Sequence, residues 1–205
     1  MFEIKYRIIT EIDQWKSFNL EQIDKEGGIE GFFQLVFNNE EYGYYHNRDL
    51  AQGEEGFDLI STWFDNLMEV CLYLEASKYV ALKDIETYNT WIEFIPKEDQ
   101  ISVSLMKSDP SISEFIILKP MSCASYPEWK DILIPKEEFK SIVIHRTKNF
   151  IDELLEINKL FIQSQEVSSL LDLLSKINNT SSKPESRFIS PENLLQQIPN
   201  ESSGC

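Results

Sequence analysis

Residues 56–77 read GFDLISTWFDNLMEVCLYLEAS and are followed directly by KYVALKDIETYNTWIEFIPKEDQISVSLM at 78–106. In the first run, apolar side chains recur at steps of three and four, which predicts an amphipathic helix over 57–77. In the second run, short apolar segments are separated by polar turns at 87–89 and 97–100, which predicts successive strands. Strands joined by such short turns pair antiparallel, so this part of the chain predicts an antiparallel sheet packed by one helix.

The residues before this helix extend the predicted sheet. Residues 2–9 alternate apolar and polar side chains, as a half-buried strand does. Two aromatic-rich runs at 32–37 and 41–45 are joined by Asn38-Asn39-Glu40 and predict a hairpin. The segment 10–31 is polar and acidic, and its one structural signal is a turn at Gly27-Gly28.

The residues after the sheet predict helices and then a tail. A short apolar strand is expected at 115–118, and Pro135 is well placed to begin a long amphipathic helix running to about residue 161. A second helix is expected at 167–177. Beyond it the chain is rich in Ser, Asn and Pro, which predicts disorder. The predicted buried face of the long helix consists of Phe139, Ile142, Val143, Phe150 and Leu154.

These elements together predict an α+β fold. We expect an antiparallel sheet of about five to seven strands, packed by one central helix, within residues 1–134. We expect C-terminal helices at 135–177 to pack on that domain and a mostly disordered tail to occupy 178–205.

The composition indicates the class of protein. The chain has 205 residues, of which 42% are apolar. No apolar run approaches the roughly 18 residues that a membrane-spanning helix requires, and the start of the chain lacks the basic and apolar segments of a signal peptide. Its three cysteines lie far apart, which disfavours a disulfide framework or a zinc site. We therefore expect a cytoplasmic protein with no membrane partner.

The charge is strongly and unevenly acidic. The chain carries 35 Asp and Glu against 19 Lys and Arg, a formal net charge of −16. Between residues 38 and 69 there are eight acidic residues and a single base, Arg48. Such a surface repels nucleic acid and anionic lipid and attracts basic proteins. The alternative is that the acidity only keeps the protein soluble.

The chain lacks recognisable catalytic motifs. No phosphate-binding glycine motif, hydrolase serine motif or HExxH zinc motif occurs. The histidines are His46 and His145, and a histidine near a turn, as His46 is, serves more often as a surface hydrogen-bonding group than as a general base. We therefore predict a protein that is not an enzyme and that has no catalytic residue, cofactor or metal.

One carboxylate set supports a different hypothesis. Asp84, Glu86 and Glu93 lie on or beside two predicted strands, and a hairpin could bring the three together. Three carboxylates can bind Mg²⁺ or Ca²⁺, or act as an acid and base pair. The alternative function is therefore an enzyme or a small-ligand or metal-binding domain. Because Tyr88 and Trp91 lie in the same segment, it can equally form a protein-binding surface.

Several short patterns lie between residues 31 and 94: Gly31-Phe32-Phe33-Gln34, Glu41-Tyr42-Gly43-Tyr44, Trp63-Phe64-Asp65, Lys78-Tyr79-Val80-Ala81-Leu82-Lys83-Asp84-Ile85-Glu86 and Thr90-Trp91-Ile92-Glu93-Phe94. In these patterns the chain resembles the immunity proteins of bacterial polymorphic and contact-dependent growth inhibition toxin systems. The resemblance implies a non-enzymatic cytoplasmic protein that binds and neutralises one cognate toxin, often a basic nuclease. It carries over no ligand or catalytic residue, and the helices after residue 134 lie outside it.

The charge agrees with this implication, because a nuclease presents Lys and Arg to hold phosphate and an acidic inhibitor can occupy that surface.

A third hypothesis is an adaptor that docks through the C-terminal helices. The predicted partner is a basic toxin domain, with no direct binding of nucleic acid. The candidate toxin-binding residues are Glu40, Glu41, Asp49, Glu54, Glu55, Asp84, Glu86, Tyr88, Trp91 and Glu93.

Overall fold

The computed structural model describes residues 1–9, 12–108 and 112–181. Within these ranges the chain is α+β and the strands named below pair antiparallel, which confirms the predicted fold class. The strands form two sheets, of four and five strands, whereas we predicted one sheet. The division arises because the strands before the central helix pair among themselves, and so do the strands after it.

The first sheet consists of β1 (Phe2–Ile8), β2 (Glu30–Phe37), β3 (Glu40–Tyr44) and the short β4 (Asp58–Leu59). Strand β2 lies between β1 and β3, and β4 pairs with the first two residues of β2. In the register of this sheet, Leu35 on β2 lies opposite Ile4 on β1 and opposite Tyr42 on β3. These three side chains therefore share the face that packs on the helices.

The second sheet has the order β8 (Ile116–Ile117), β5 (Val80–Lys83), β6 (Thr90–Lys97), β7 (Gln100–Lys107) and β9 (Ile132–Pro135). Its three central strands are those predicted from residues 78–106. One face of the sheet joins the main core. The other face is covered by the segment 112–131, where Trp91 and Met106 pack against Ile117 and Tyr126.

The helical elements are α1 (Ile12–Ser17), α2 (Leu20–Glu26), α3 (Ile60–Tyr73), α4 (Lys136–Ile157), a 3₁₀ turn (Lys159–Gln163) and α5 (Gln165–Ser181). No helix was predicted in the segment that holds α1 and α2. Helix α2 begins with a capping box, in which the Asn19 side chain accepts from the Gln22 N–H and the Gln22 side chain accepts from the Asn19 N–H, both at 2.9 Å.

The main core is an aromatic layer between the helices and both sheets. The rings of Phe64 on α3 and Phe150 on α4 stack with centroids 5.1 Å apart, and Tyr6 on β1 meets both rings edge-on. Fully burying each of these phenylalanine side chains contributes about 1.5–3 kcal/mol. The two sheets share this core, because Phe37 on β2 contacts Phe94 on β6. Helix α5 packs on α3.

The long helix has the predicted buried face. Phe139, Val143, Phe150 and Leu154 are fully buried and Ile142 is partly buried. The helix ends at Ile157, earlier than the predicted residue 161. Asn158 leaves the helix, and its amide donates to the carbonyl oxygens of Trp15 at 3.0 Å and Phe18 at 2.9 Å.

The other helix ends also differ from the prediction. Helix α3 is shorter than the predicted 57–77, because residues 58–59 form β4 and residues 74–76 form a turn. Helix α5 includes residues 178–181, which we assigned to the tail, and the rest of the predicted tail lies outside the described residues. Among the helices of the described ranges, none is long and apolar enough to cross a membrane.

Candidate functional site

The three carboxylates of the alternative hypothesis do not form one site. Strand β5 ends at Lys83, so Asp84 lies in the following turn, where it accepts from the Tyr42 hydroxyl and from the Glu86 N–H. Glu93 pairs with Ala81 across the sheet and accepts from the Tyr126 hydroxyl at 2.9 Å, on the face covered by residues 112–131. Since Leu82 belongs to the opposite face, Asp84 and Glu93 are directed apart.

A metal site is not seen elsewhere either. Within residues 1–9, 12–108 and 112–181, no group of three His, Cys, Asp or Glu side chains is arranged to hold a metal ion.

The predicted toxin-binding residues differ widely in exposure. Asp84, Trp91 and Glu93 are buried, and Trp91 has no exposed surface at all. In this conformation these three side chains do not form an exposed surface, because each is already packed or hydrogen-bonded within the fold. Glu40 and Glu54 are partly buried. The exposed candidates are Glu41, Asp49, Glu55, Glu86 and Tyr88.

The segment 45–57, which joins β3 to β4 and which we call the acidic loop, is held in place by Glu54. One carboxylate oxygen accepts from Arg48 Nη2 at 2.6 Å and contacts His46 Nε2 at 2.9 Å. The other accepts from Arg48 Nη1 at 2.7 Å and from the Ala51 N–H at 2.8 Å. These bonds, led by those from Arg48, lower the pKa of Glu54 to about 2. Glu54 is thus an anchor of the loop and not a free carboxylate.

A second contact fastens the loop to the first sheet. Arg7 on β1 donates from Nη1 to the carbonyl oxygens of Arg48 at 2.7 Å and His46 at 3.4 Å. His46 packs against the buried ring of Phe32, with centroids 4.5 Å apart. Because His46 Nε2 contacts Glu54 and its Nδ1 is shielded from solvent, this histidine does not present a base to a substrate.

Two Glu-Gly-Phe triplets, at 30–32 and 55–57, cross each other at their glycines. The Phe57 N–H donates to the Gly31 carbonyl at 3.1 Å, and the rings of Phe32 and Phe57 lie 5.9 Å apart. A Cβ on Gly56 would come within 2.5 Å of the Gly31 nitrogen, so the crossing needs glycine for this close approach. The crossing places the two phenylalanines together at one end, and both glutamates line one cleft at the other end.

The phenylalanine end of the crossing presents an exposed aromatic pair, Tyr44 and Phe57. Their rings stack with centroids 6.1 Å apart and an interplanar angle of 29°. Tyr44 is 44% exposed and Phe57 is 52% exposed. The buried Phe32 ring supports both of them from below. The pair is therefore a preformed apolar surface on a chain of high net charge.

The glutamate end lines a cleft of about 450 Å³, which we call the acidic cleft. It lies between the turn after α2 and the acidic loop, with Trp15 and Leu50 among its apolar lining residues. Glu26, Glu30 and Glu55 line it, are exposed, and form no ion pair with any described residue. Carboxylates that line one cleft raise the local negative potential, so the cleft favours a cation.

Part of this site was predicted from the sequence. The acidic loop and Glu55 were among the predicted residues, but Glu26, Glu30 and the exposure of Tyr44 and Phe57 were not. The available signal was the repeated Glu-Gly-Phe triplet.

Comparison of the sequence with protein-family models and with curated proteins, and of the fold with solved structures, found no match. The resemblance to immunity proteins stays a prediction.

Proposed function

We propose that this chain is a non-enzymatic immunity protein that acts in the cytoplasm and neutralises a cognate bacterial toxin, a basic nuclease, by binding it. The acidic cleft carries the proposal: Glu26, Glu30 and Glu55 line it and form no ion pair with a described residue. An exposed aromatic pair, Tyr44 and Phe57, lies at the other end of the glycine crossing. Acidic residues attract the Lys and Arg side chains with which a nuclease holds phosphate. Exposed tyrosine and phenylalanine supply the apolar contact area that slows dissociation.

The anchoring of the acidic loop supports the proposal. Arg7 and Glu54 hold the loop through several hydrogen bonds in the free protein. A loop that is already ordered loses less conformational entropy on binding than a flexible one, so more of the contact energy contributes to affinity.

The proposal requires a toxin domain encoded beside this gene, and co-expression with that domain tests it. Wild-type protein is expected to restore growth of cells that express the toxin. The double variant Glu30→Lys/Glu55→Lys is expected to lose that protection, because it reverses two unpaired carboxylates of the acidic cleft. The matched control is Asp152→Lys/Glu156→Lys, which makes the same charge change at exposed positions on α4 and should protect fully. Death of the cells with wild-type protein, together with no complex on mixing, would contradict the proposal.

The rate of association should depend strongly on salt. Raising the ionic strength from about 0.01 M to 0.15 M shortens the Debye length from about 30 Å to 8 Å. We expect the association rate measured by stopped-flow to fall by about 10-fold or more over this range, while dissociation changes less. The Glu30→Lys/Glu55→Lys variant should give a shallower dependence than Asp152→Lys/Glu156→Lys. Equal salt slopes for the two variants would show that the acidic cleft does not steer the partner.

A further inference from the structure

The Tyr44–Phe57 pair lacks a covering element in the described part of the chain. Both side chains are about half exposed although they stack on each other and contact the Phe32 ring. Phe57 follows Glu55 and Gly56 directly, and Phe32 follows Glu30 and Gly31. The aromatic pair therefore adjoins the acidic cleft through two short chain segments.

We infer that the aromatic pair receives an arginine side chain of the partner, whose guanidinium stacks on the rings of Tyr44 and Phe57 while Glu30 and Glu55 in the adjoining acidic cleft attract its charge. This inference rests on the proposed function and names the group that the site recognises. A guanidinium is planar and weakly hydrated, so it stacks on aromatic rings and pairs with carboxylates through two nitrogens. A lysine ammonium is compact and strongly hydrated and gains less from a ring face.

The protein's own Arg48 reaches the edge of the aromatic pair, where its guanidinium hydrogen-bonds with the Tyr44 hydroxyl. Arg48 lies in the same loop, but both of its terminal nitrogens bind Glu54, and Nη1 also donates to the Asp49 carbonyl. The charge of Arg48 is thus balanced within the loop. Glu30 and Glu55 have no such partner among the described residues, which leaves their charge available to an incoming cation.

A peptide experiment tests the inference without the toxin. Hepta-arginine and hepta-lysine peptides of equal charge are titrated into the full-length protein at low salt, with affinity measured by calorimetry. We expect the arginine peptide to bind about two- to five-fold more tightly than the lysine peptide. Phe57→Leu and Tyr44→Leu keep apolar area but remove a ring face, so each should reduce this preference toward one. Thermal melting of each variant checks that it is folded.

Tyr88 provides the matched control. It is 82% exposed and lies in the β5–β6 turn of the second sheet, so Tyr88→Leu also removes an exposed ring. This control should leave the arginine preference unchanged. Equal affinities of the two peptides for the wild-type protein would overturn the inference, and so would loss of the preference in Tyr88→Leu with retention in Phe57→Leu.

The neighbouring toxin domain distinguishes the inference from the proposed function. If both hold, Phe57→Ala weakens toxin binding by about 10-fold or more and Tyr88→Ala has little effect. If the toxin binds wild-type protein and Phe57→Ala equally well, the inference fails and the proposed function stands. If the toxin does not bind the wild-type protein while the peptide preference is present, the proposed function fails and the arginine site stands as a site for another partner.

Discussion

Gly31→Ala is expected to lower the free energy of unfolding by about 3 kcal/mol or more. A Cβ at position 31 would collide with the carbonyl oxygen of Arg7 on the neighbouring strand and would lie 2.5 Å from Cδ1 of Ile60. The first of these atoms is backbone in the β1–β2 ladder, so relief requires the strands to separate. For a domain of this size the melting temperature should fall by roughly 10 °C.

Urea unfolding followed by circular dichroism measures the effect. The control is Gly53→Asn, in the acidic loop, because a Cβ there meets no atom within 4 Å and asparagine tolerates the positive φ of 77°. It should change the stability by no more than about 0.5 kcal/mol. If Gly31→Ala is as stable as this control, β1 and β2 can separate at this point without lowering the free energy of unfolding.

The glycine crossing also connects stability with the proposed site. Gly56 packs against Gly31, so a side chain at position 56 forces the two Glu-Gly-Phe triplets apart. Such a shift would separate Glu30 from Glu55 and Phe57 from its support on Phe32. Substitution of Gly56 is therefore expected to weaken partner binding as well as folding.

Local sequence patterns predicted the elements that depend on local periodicity. The apolar spacing around Trp63 and Leu67 located α3, and the short apolar segments between polar turns in residues 78–106 located the central strands of the second sheet. Short elements were missed because they carry little periodicity. Helices α1 and α2 have six and seven residues, and the capping residues Asn19 and Gln22 were the one clear signal for α2.

The site was only partly predictable because burial and pairing are properties of the whole fold. From the sequence alone, Trp91 could be an exposed anchor or a core residue. The fold makes it a core residue, because the segment 112–131 covers its face of the sheet. The sequence likewise indicates a free carboxylate at Glu54, whereas in the structure Arg48 binds both of its oxygens. The acidic cleft is lined by both Glu30 and Glu55, which are 25 positions apart in sequence, so the local pattern around either residue does not show that they share a cleft.

Asp58 directly follows the acidic loop and begins β4. Its carboxylate is 4% exposed and accepts from Trp63 Nε1 at 3.1 Å and from the Phe33 N–H at 3.2 Å. Burial outweighs these two bonds and, with the nearby charges of Glu86 and Asp84, raises the pKa of Asp58 from 3.8 to about 6. The folded protein thus binds a proton here more tightly than the unfolded chain does.

The sign of the pH effect follows from this difference in proton binding. The stabilisation from protonated Asp58 is fully present below about pH 4 and is lost as the pH rises through the folded pKa of about 6. A shift of this size corresponds to about 3 kcal/mol between pH 4 and pH 7. Asp58→Asn removes the titration, since an amide resembles the neutral acid. The stability of Asp58→Asn relative to wild type should therefore increase by about 3 kcal/mol from pH 4 to pH 7.

Urea titrations of both proteins at several pH values between 4 and 7 measure that difference directly, and effects of the other titrating groups cancel in it. Asp49→Asn makes the same change of formal charge at an exposed position of the acidic loop, and its stability relative to wild type should stay nearly constant over the range. A constant difference for Asp58→Asn as well would mean that the carboxylate is solvated in the folded protein, so that β4 does not close over it. A difference that decreases with pH would mean that the bonds from Trp63 and Phe33 outweigh burial and that Asp58 stabilises the end of the acidic loop as an anion.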